Sequence, residues 1–507
     1  MSRAGVPRRP VLRVGPSVEP WQRAAAAALA TLLDGPIVWL GPAAVGTEAR
    51  EPWLDERAPD LAAQLSRLGV DLVIDLAFAP PRLDVGIPLW TLRFGEEGRR
   101  GPPGGAEIVR GARSVLARLV ELEEPDRGRV LVEGRLKLIG HSLPASRQRL
   151  LQAVARWPAR ALAWRRAGLA LPCGGASVRL DPGPPPEPRA LPLWHALGVV
   201  RRLAACAIEE DWRLGVIDVP AAALLTSATG SIRWLPAPPR GWLADPVGVR
   251  DGVVLAEAFD PATGRGHLVR TELEAGAPVV PVLCADHHLS WPFLVEDGGE
   301  IFLVPEASAT GSLRLFRAAP FPDRFVPDAV LLEGFAAVDP TLVRHRGRWF
   351  LFACDRANQD EARLHLFVAE ALRGPWRPHP MSPVVDDLGS ARPAGPLFEH
   401  EGRLFRPAQD CTRTYGGAVV INRIEALTPE LFREVPVARL DPDPDGPCPH
   451  GLHSLVAAGP RTIVDGKRER RSVRAFLANL RALLGERRTL RHASAQPAGA
   501  RPADSPR

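Results

Sequence analysis

A phrase built around a proline returns four times in the second half of the chain. Its copies are Asp245-Pro246-Val247-Gly248-Val249, Trp291-Pro292-Phe293-Leu294-Val295, Asp339-Pro340-Thr341-Leu342-Val343 and Arg392-Pro393-Ala394-Gly395-Pro396. The prolines are spaced 46, 48 and 53 residues apart. Each phrase leads through a Gly-containing turn (at Gly252, Gly298-Gly299, Gly347 and Gly402) into a second apolar run. Two short apolar runs joined by such a turn read as a β-hairpin. A hairpin that returns every ~45–50 residues is the signature of a propeller blade, a small sheet that buries its faces only against its neighbours. A looser fifth copy, His453-Ser454-Leu455-Val456 followed by Thr462-Ile463-Val464, completes a five-bladed β-propeller over residues 208–466.

The first half has a different rhythm. Short apolar runs at Val11–Gly15, Pro36–Leu40 and Asp71–Leu76 alternate with helical stretches at Trp21–Leu33 and Leu61–Leu68, which predicts an α/β domain with parallel strands over residues 10–181. A strand pair at Arg113–Val120 and Arg129–Val132 and helices over 143–167 follow. Residues 182–207 read as a Pro-rich linker and a helix. The segment Asp211–Ile217 is expected to supply the outer strand that closes the propeller ring. Residues 467–486 read as a basic amphipathic helix and 487–507 as a disordered tail.

Composition removes several function classes. A formal charge of +6 over 507 residues is too small to mark a nucleic-acid binder. There is no run of 18 apolar residues, so no transmembrane segment is expected. The start lacks the apolar stretch of a secretory signal, and the six cysteines are scattered without a Cys-x-x-Cys pair. Both point to reduced thiols and a cytoplasmic location. His287-His288 and the pair His450 and His453 lack carboxylates at ligand spacing, so neither a metal nor another cofactor is expected.

In a propeller, the innermost strand of every blade starts at the same end of the central channel. The residues before the repeated prolines therefore form a ring: Asp245, Trp291, Asp339, Arg392 and, in the fifth blade, His453. The second strand of each hairpin returns to that end, and its exit residues include Glu257, Glu306, Asp355, Gln409 and Asp410. Carboxylates, an arginine, a histidine and an aromatic ring are the groups that sugar chemistry uses. One carboxylate activates water or stabilises an oxocarbenium ion, a protonated carboxyl releases the leaving oxygen, and an aromatic face stacks on the sugar. Arg392 can hold a substrate carboxylate or phosphate through two parallel hydrogen bonds. A structural role is open for the same residues. Asp before Pro commonly caps a turn, and a tryptophan on an inner strand is commonly core.

The phrases Trp242-Leu243-Ala244-Asp245-Pro246, His288-Leu289-Ser290-Trp291-Pro292-Phe293, Val304-Pro305-Glu306, Val338-Asp339-Pro340-Thr341, Gly374-Pro375-Trp376, Ser390–Gly395 and Arg406–Asp410 recur in order. Through them the second half resembles family-43-type glycosidases. It is more similar still to the N-terminal propeller domain of plant glucosamine inositolphosphorylceramide transferases. The glycosidase resemblance implies Asp245 as base, Asp339 as the residue that orients the acid, and Glu306 as acid. Trp291, Arg392, Gln409, Asp410, His453 and His288 are then substrate-binding candidates. The first half resembles a formyltransferase domain through Ile87–Gly95, Gly101–Gly104 and Asp126–Leu131. That family uses an Asn-x-His pair where this chain has Leu92 and Phe94, so the resemblance implies a degenerate domain without formyl transfer. Two functions stay open: a carbohydrate-active protein that cleaves a glycan or glycoconjugate in the propeller funnel, and a non-catalytic sugar-binding or assembly module that works with a glycosyltransferase.

Overall fold

The computed structural model describes residues 9–33, 37–42, 52–78, 86–101, 103–170, 177–181, 183, 191–226, 230–358, 362–477 and 479–480. Outside these residues lie the stiff linker expected at 182–188 except residue 183, residues 478 and 481–486 of the helix expected at 467–486, and all of the tail.

The N-terminal half is a mixed sheet of eight strands with helices on both faces. In chain order its elements are β1 (Pro10–Arg13), α1 (Pro20–Ala30), β2 (Val38–Gly41), β3 (Trp53–Asp55), α2 (Leu61–Arg67), β4 (Leu72–Asp75), β5 (Leu89–Phe94), α3 (Gly105–Arg110), β6 (Ser114–Glu124), β7 (Arg127–Lys137), α4 (Leu143–Val154), α5 (Trp157–Arg166) and β8 (Ser177–Arg179). The sheet order is β3-β2-β1-β4-β5-β6-β7-β8. The first five strands are parallel, and β6 to β8 add antiparallel pairs. Side chains alternate along a strand. Leu12, Trp39, Ile74 and Leu92 therefore face one core, which α1, α4 and α5 cover with Trp21, Leu29, Leu150 and Trp157. Val11, Val38, Leu40 and Val73 face the other way, against Leu61 and Leu65 of α2. Leu92 and Phe94 both sit in the first core, so apolar packing occupies the positions that the formyltransferase pattern reserves for its polar pair.

Helix α6 (Leu191–Ala205) leads into a five-bladed propeller. Blade 1 comprises Trp242–Arg250, Val253–Asp260, Arg265–Glu272 and Val280–Leu283. Blade 2 comprises Ser290–Asp297, Glu300–Glu306, Ser312–Ala318 and Phe325–Glu333. Blade 3 comprises Ala337–His345, Arg348–Asp355, Arg363–Ala369 and Arg377–Pro378, with Val385–Asp386 also paired to its third strand. Blade 4 comprises Phe398–His400, Arg403–Asp410, Ala418–Leu427 and Phe432–Leu440. Blade 5 is assembled from two distant stretches. Gly451–Ala458 and Arg461–Arg471 form its inner strands, and Ile208–Ile217 and Ile232–Trp234 its outer ones. The ring thus closes with the outer strand anticipated at Asp211–Ile217, pairing antiparallel from Thr462↔Ile217 to Arg471↔Ile208. The last strand runs through Arg471, past the expected boundary at 466, so the basic segment begins as strand and turns helical only afterwards.

The two halves meet along blades 3 and 4. Arg160 of α5 donates to Asp386 Oδ2 at 2.8 Å and to the Pro383 carbonyl at 2.7 Å. Arg363 of blade 3 donates to the other oxygen of Asp386 at 2.9 Å. Burial opposes the charge on Asp386, but the two guanidinium groups outweigh it and hold this carboxyl below its ordinary range. Trp164 donates its indole N–H to the Phe432 carbonyl at 2.9 Å. At Gly134 a side chain would meet the Asp386 carbonyl oxygen at 2.3 Å, so the close approach of β7 to the propeller requires glycine there.

Candidate functional site

Pro246, Pro292 and Pro340 interrupt the hydrogen-bond ladder of their strands, whereas Pro393 precedes its blade's first strand. Register breaks fall between Ala244 and Gly248, Ser290 and Phe293, and Val338 and Thr341. Proline has no N–H to donate, and the chain bulges there. At each bulge the preceding residue takes a left-handed backbone conformation, with φ of 52° at Asp245, 50° at Trp291 and 50° at Asp339. This costs on the order of 1 kcal/mol or more at a non-glycine residue. Each is held there by a carboxylate. Asp465 accepts from the Asp245 N–H at 2.8 Å, Asp245 from the Trp291 N–H at 3.1 Å, and Glu306 from the Asp339 N–H at 3.0 Å. Two of these three bonds, from blade 5 to blade 1 and from blade 2 to blade 3, run from a second-strand acid to the pre-proline residue of the next blade.

The side chains of the ring are also joined. His453 lies between Asp465, 2.6 Å from its Nδ1, and Asp245, 3.1 Å from its Nε2. Burial works against a charge on His453, but the two carboxylates outweigh it and hold the imidazole up at about 10. Asp245 is correspondingly held below the usual carboxylate range, with His453 overcoming the effect of burial. Asp339 accepts from Arg392 through Nε at 2.5 Å and Nη2 at 3.2 Å, and from the Gln409 amide at 2.9 Å. Burial, reinforced by Glu306 and Asp245, still pushes Asp339 up to about 8 against the pull of Arg392. Arg392 also lies over the Tyr415 ring, 4.6 Å from its centroid.

Asp245, His453 and Asp465 have the composition of a metal site, with one ligand atom from each within 4.8 Å of the others. Both nitrogens of His453 face carboxylates, and a proton on each satisfies the trio without an ion.

The sequence-derived candidates divide into three groups. Asp245, Asp339, Glu306, Arg392, Gln409 and His453 do converge, as one bonded network. Trp291 has no exposed surface. It packs in the core and donates its indole N–H to the Pro340 carbonyl at 3.0 Å, so it is a wall between blades and presents no face to a sugar. Asp410 and His288 stand apart from the network. Asp410 is engaged by Thr412 and by Arg439 at 2.5 Å. His288 accepts from the Gly266 N–H at 2.9 Å through Nδ1, and its Nε2 lies 3.4 Å from Glu257 Oε1.

Three further residues matter. Asp465 is fully buried and accepts four hydrogen bonds, from the N–H groups of Asp245, His453 and Ser454 and from the His453 ring. Its signal was available, because it follows Thr462-Ile463-Val464 just as Glu306 follows its own second strand. Glu257 is buried, and its Oε1 has no hydrogen-bond partner among the described residues. Burial first, then Asp245 and Glu306, push its carboxyl far above the usual range. Tyr415 lies beside the ring, its centroid 5.5 Å from that of His453.

Tyr415 also lines a cleft of about 750 Å³ at this end of the disc, together with Trp242, Phe259, Glu210, Arg113 and Arg474. Trp242 and Phe259, which both line the cleft, stack on each other at 4.8 Å with their planes 5° apart, so each covers one face of the other.

Residues 275–443 match the family model described as glucosamine inositolphosphorylceramide transferase 1, N-terminal. The propeller resembles that N-terminal region. A protein of this name from Oryza sativa subsp. japonica is 39% identical over 155 residues, which is 30% of this chain and 21% of the relative. The one from Arabidopsis thaliana is 33% identical over 211 residues, 39% of this chain and 28% of the relative. The chain thus matches roughly a quarter of the length of these curated relatives. Among solved structures, a thermostable family-43 glycoside hydrolase aligns with a TM-score of 0.34 at 13% identity, covering 43% of this chain and 85% of that one. An exo-β-1,3-galactanase from Clostridium thermocellum aligns with a TM-score of 0.28 at 11% identity, covering 38% and 50%.

Proposed function

We propose that the propeller binds a sugar-containing ligand at the mouth of its channel and does not hydrolyse it. One observation carries this reading. The nominated catalytic carboxylates are already used by the fold: both oxygens of Asp245 and both of Asp339 receive donors from neighbouring blades. A general base needs a free face toward water, and an acid needs a proton it can release. An outer face of the Trp242–Phe259 stack, with Tyr415 lining the same cleft, offers a flat apolar surface on which a sugar ring stacks, and the surrounding acids and arginines offer partners for its hydroxyls. The sugar class is supported by the matched relatives, whose name joins glucosamine to inositolphosphorylceramide. In this reading the chain works as a recognition or assembly module beside a glycosyltransferase. The N-terminal α/β unit, formyltransferase-like in its motifs, serves as a scaffold without formyl transfer.

A second reading, glycoside hydrolysis, is favoured by one feature. Burial and the neighbouring acids push the Glu257 carboxyl far above its usual range while His453 holds Asp245 below its own, and environments that push two carboxyls apart in this way suit an acid and a base. The acid would then be Glu257 in place of Glu306, whose oxygens receive the Asp339 N–H and the Ser308 hydroxyl.

A panel of glycans and glycolipid headgroups, tested for binding and for release of reducing sugar, separates the two. Saturable binding without turnover, weakened about tenfold by Trp242→Ala, supports the binding module. Turnover by the native protein that disappears in both Asp245→Asn and Glu257→Gln replaces it with the hydrolase. Neither binding nor turnover across the panel rejects both readings.

A further inference from the structure

Among its described residues, the N-terminal sheet gathers more buried guanidinium groups than carboxylates at one end. Strands β1, β4 and β5 lie near one another and parallel, and Arg13, Asp75 and Arg93 stand at or next to their C-terminal ends. Alternation places all three on the face that α2 covers, in line with Val11, Val73 and Leu89. The turn after β5 folds back through a bridge between Phe94 and Arg99, which brings Arg100 to the same place. Arg93 has no exposed surface, Arg13 and Asp75 are each 2% exposed, and Arg100 is 9% exposed.

Only part of this cluster is paired. Arg13 donates to Glu56 at 2.8 Å and to Asp75 Oδ1 at 2.9 Å. Among the described residues none of the three guanidinium nitrogens of Arg93 has a hydrogen-bond partner, and neither Arg100 Nε nor Asp75 Oδ2 has one. Among the described residues, three guanidinium groups face two carboxylates, those of Asp75 and Glu56. Burial, with Arg100 adding to it, lowers Arg93 to about 10, which leaves it charged at neutral pH. A buried, unpaired guanidinium costs several kcal/mol, and proteins keep such groups where something pairs them.

We propose that the guanidinium groups of Arg93 and Arg100 bind an oxyanion, the phosphate or carboxylate group of a small molecule. The planar fork of arginine fits both groups through two parallel hydrogen bonds. The place in the fold agrees. In open α/β sheets ligands bind beyond the C-terminal ends of the strands where the strand order reverses, and in this sheet the order reverses between β1 and β4. The site is separate from the positions of the formyltransferase pattern. Leu92 and Phe94 point into the opposite core, and Arg93 between them points away from it.

The test uses the full chain and follows thermal unfolding with inorganic phosphate, with succinate and with potassium chloride at matched ionic strength. A saturable rise in Tm of ~5–10 °C at about 100 times the dissociation constant is expected with phosphate or succinate and not with chloride. The anion that acts identifies the source as a phosphate-bearing or a carboxylate ligand. Arg93→Met should abolish the response while keeping or raising the Tm without anion, because it removes a buried unpaired charge. Arg100→Gln, which retains polar donors, should raise the half-saturating concentration about tenfold and serves if Arg93→Met does not fold. Equal effects of all three salts, or an unchanged response in whichever variant folds, overturns the proposal.

Discussion

Asp465→Ala should be among the most damaging single substitutions in the propeller. The wild-type carboxylate accepts the Asp245 N–H at 2.8 Å, the Ser454 N–H at 2.9 Å and the His453 ring at 2.6 Å, all without solvent. Truncation leaves three buried backbone N–H groups unsatisfied, those of Asp245, Ser454 and, from 3.4 Å, His453, at about 1–3 kcal/mol each. It also leaves the His453 imidazolium with Asp245 as its one remaining carboxylate partner. Breaking a buried ion pair costs about 3–5 kcal/mol, and we expect a total loss in or above that range. Guanidinium unfolding followed by tryptophan fluorescence gives the difference. Asp465→Asn isolates the electrostatic part. The native His453 value of about 10 lies above its unfolded value of 6.5, so its stabilisation is complete below pH ~6.5 and is lost as pH rises toward 10. That slope should flatten in Asp465→Asn, and the His453 resonance should titrate nearer neutrality by NMR. A loss under about 1 kcal/mol for Asp465→Ala, or a His453 that still titrates near 10 in Asp465→Asn, would refute the reasoning.

Asp339 gives a pH dependence in a different window. Its native value of about 8 lies above the 3.8 of a free carboxyl, so its contribution is complete below pH ~4 and declines up to pH ~8. Asp339→Asn should flatten the stability profile between those limits in denaturant titrations at a series of pH values, and an unaltered slope would count against the assignment. Arg160→Ala removes one of two guanidinium partners of Asp386 and should cost about 3 kcal/mol of interface stability, read as easier proteolytic separation of the halves at unchanged propeller unfolding. Equal protease resistance would show that the contact between α5 and blade 3 contributes little.

The propeller was legible because its information is periodic. Three of the four proline phrases, the Gly turns and the outer strand at Asp211–Ile217 fall where the repeat puts them, whereas the fourth phrase, Arg392–Pro396, precedes its blade's first strand at Phe398–His400. The convergence of Asp245, Asp339, Arg392 and His453 followed from the same periodicity, since equal blade positions must share a height. What those side chains do there was not legible. Pairing of Asp245 with a backbone N–H 46 residues away depends on a left-handed residue before proline, and no local pattern announces it. Trp291 could be read as platform or core, and only the packing of adjacent blades decides for core. In the N-terminal half, β5 carried apolar residues at Trp90, Leu92 and Phe94, but the arginine among them gave no hint that it would be buried. The short strands Trp53–Asp55 and Ser177–Arg179 take their identity from their sheet neighbours, Trp39 to Gly41 and Arg127 to Arg129.

The seam in blade 5 has a topological consequence. Ile208 pairs with Arg471, and the Ser472 N–H donates to the Ala207 carbonyl at 2.8 Å, so the chain enters and leaves the ring through one doorway. Anything tethered upstream or downstream is delivered to a single spot on the rim, next to the cleft that Ile208, Arg474 and Asn479 help to line. A neighbour attached by either tether would therefore reach the same opening, and the rosette could be lifted into another polypeptide as an insert whose two ends already touch.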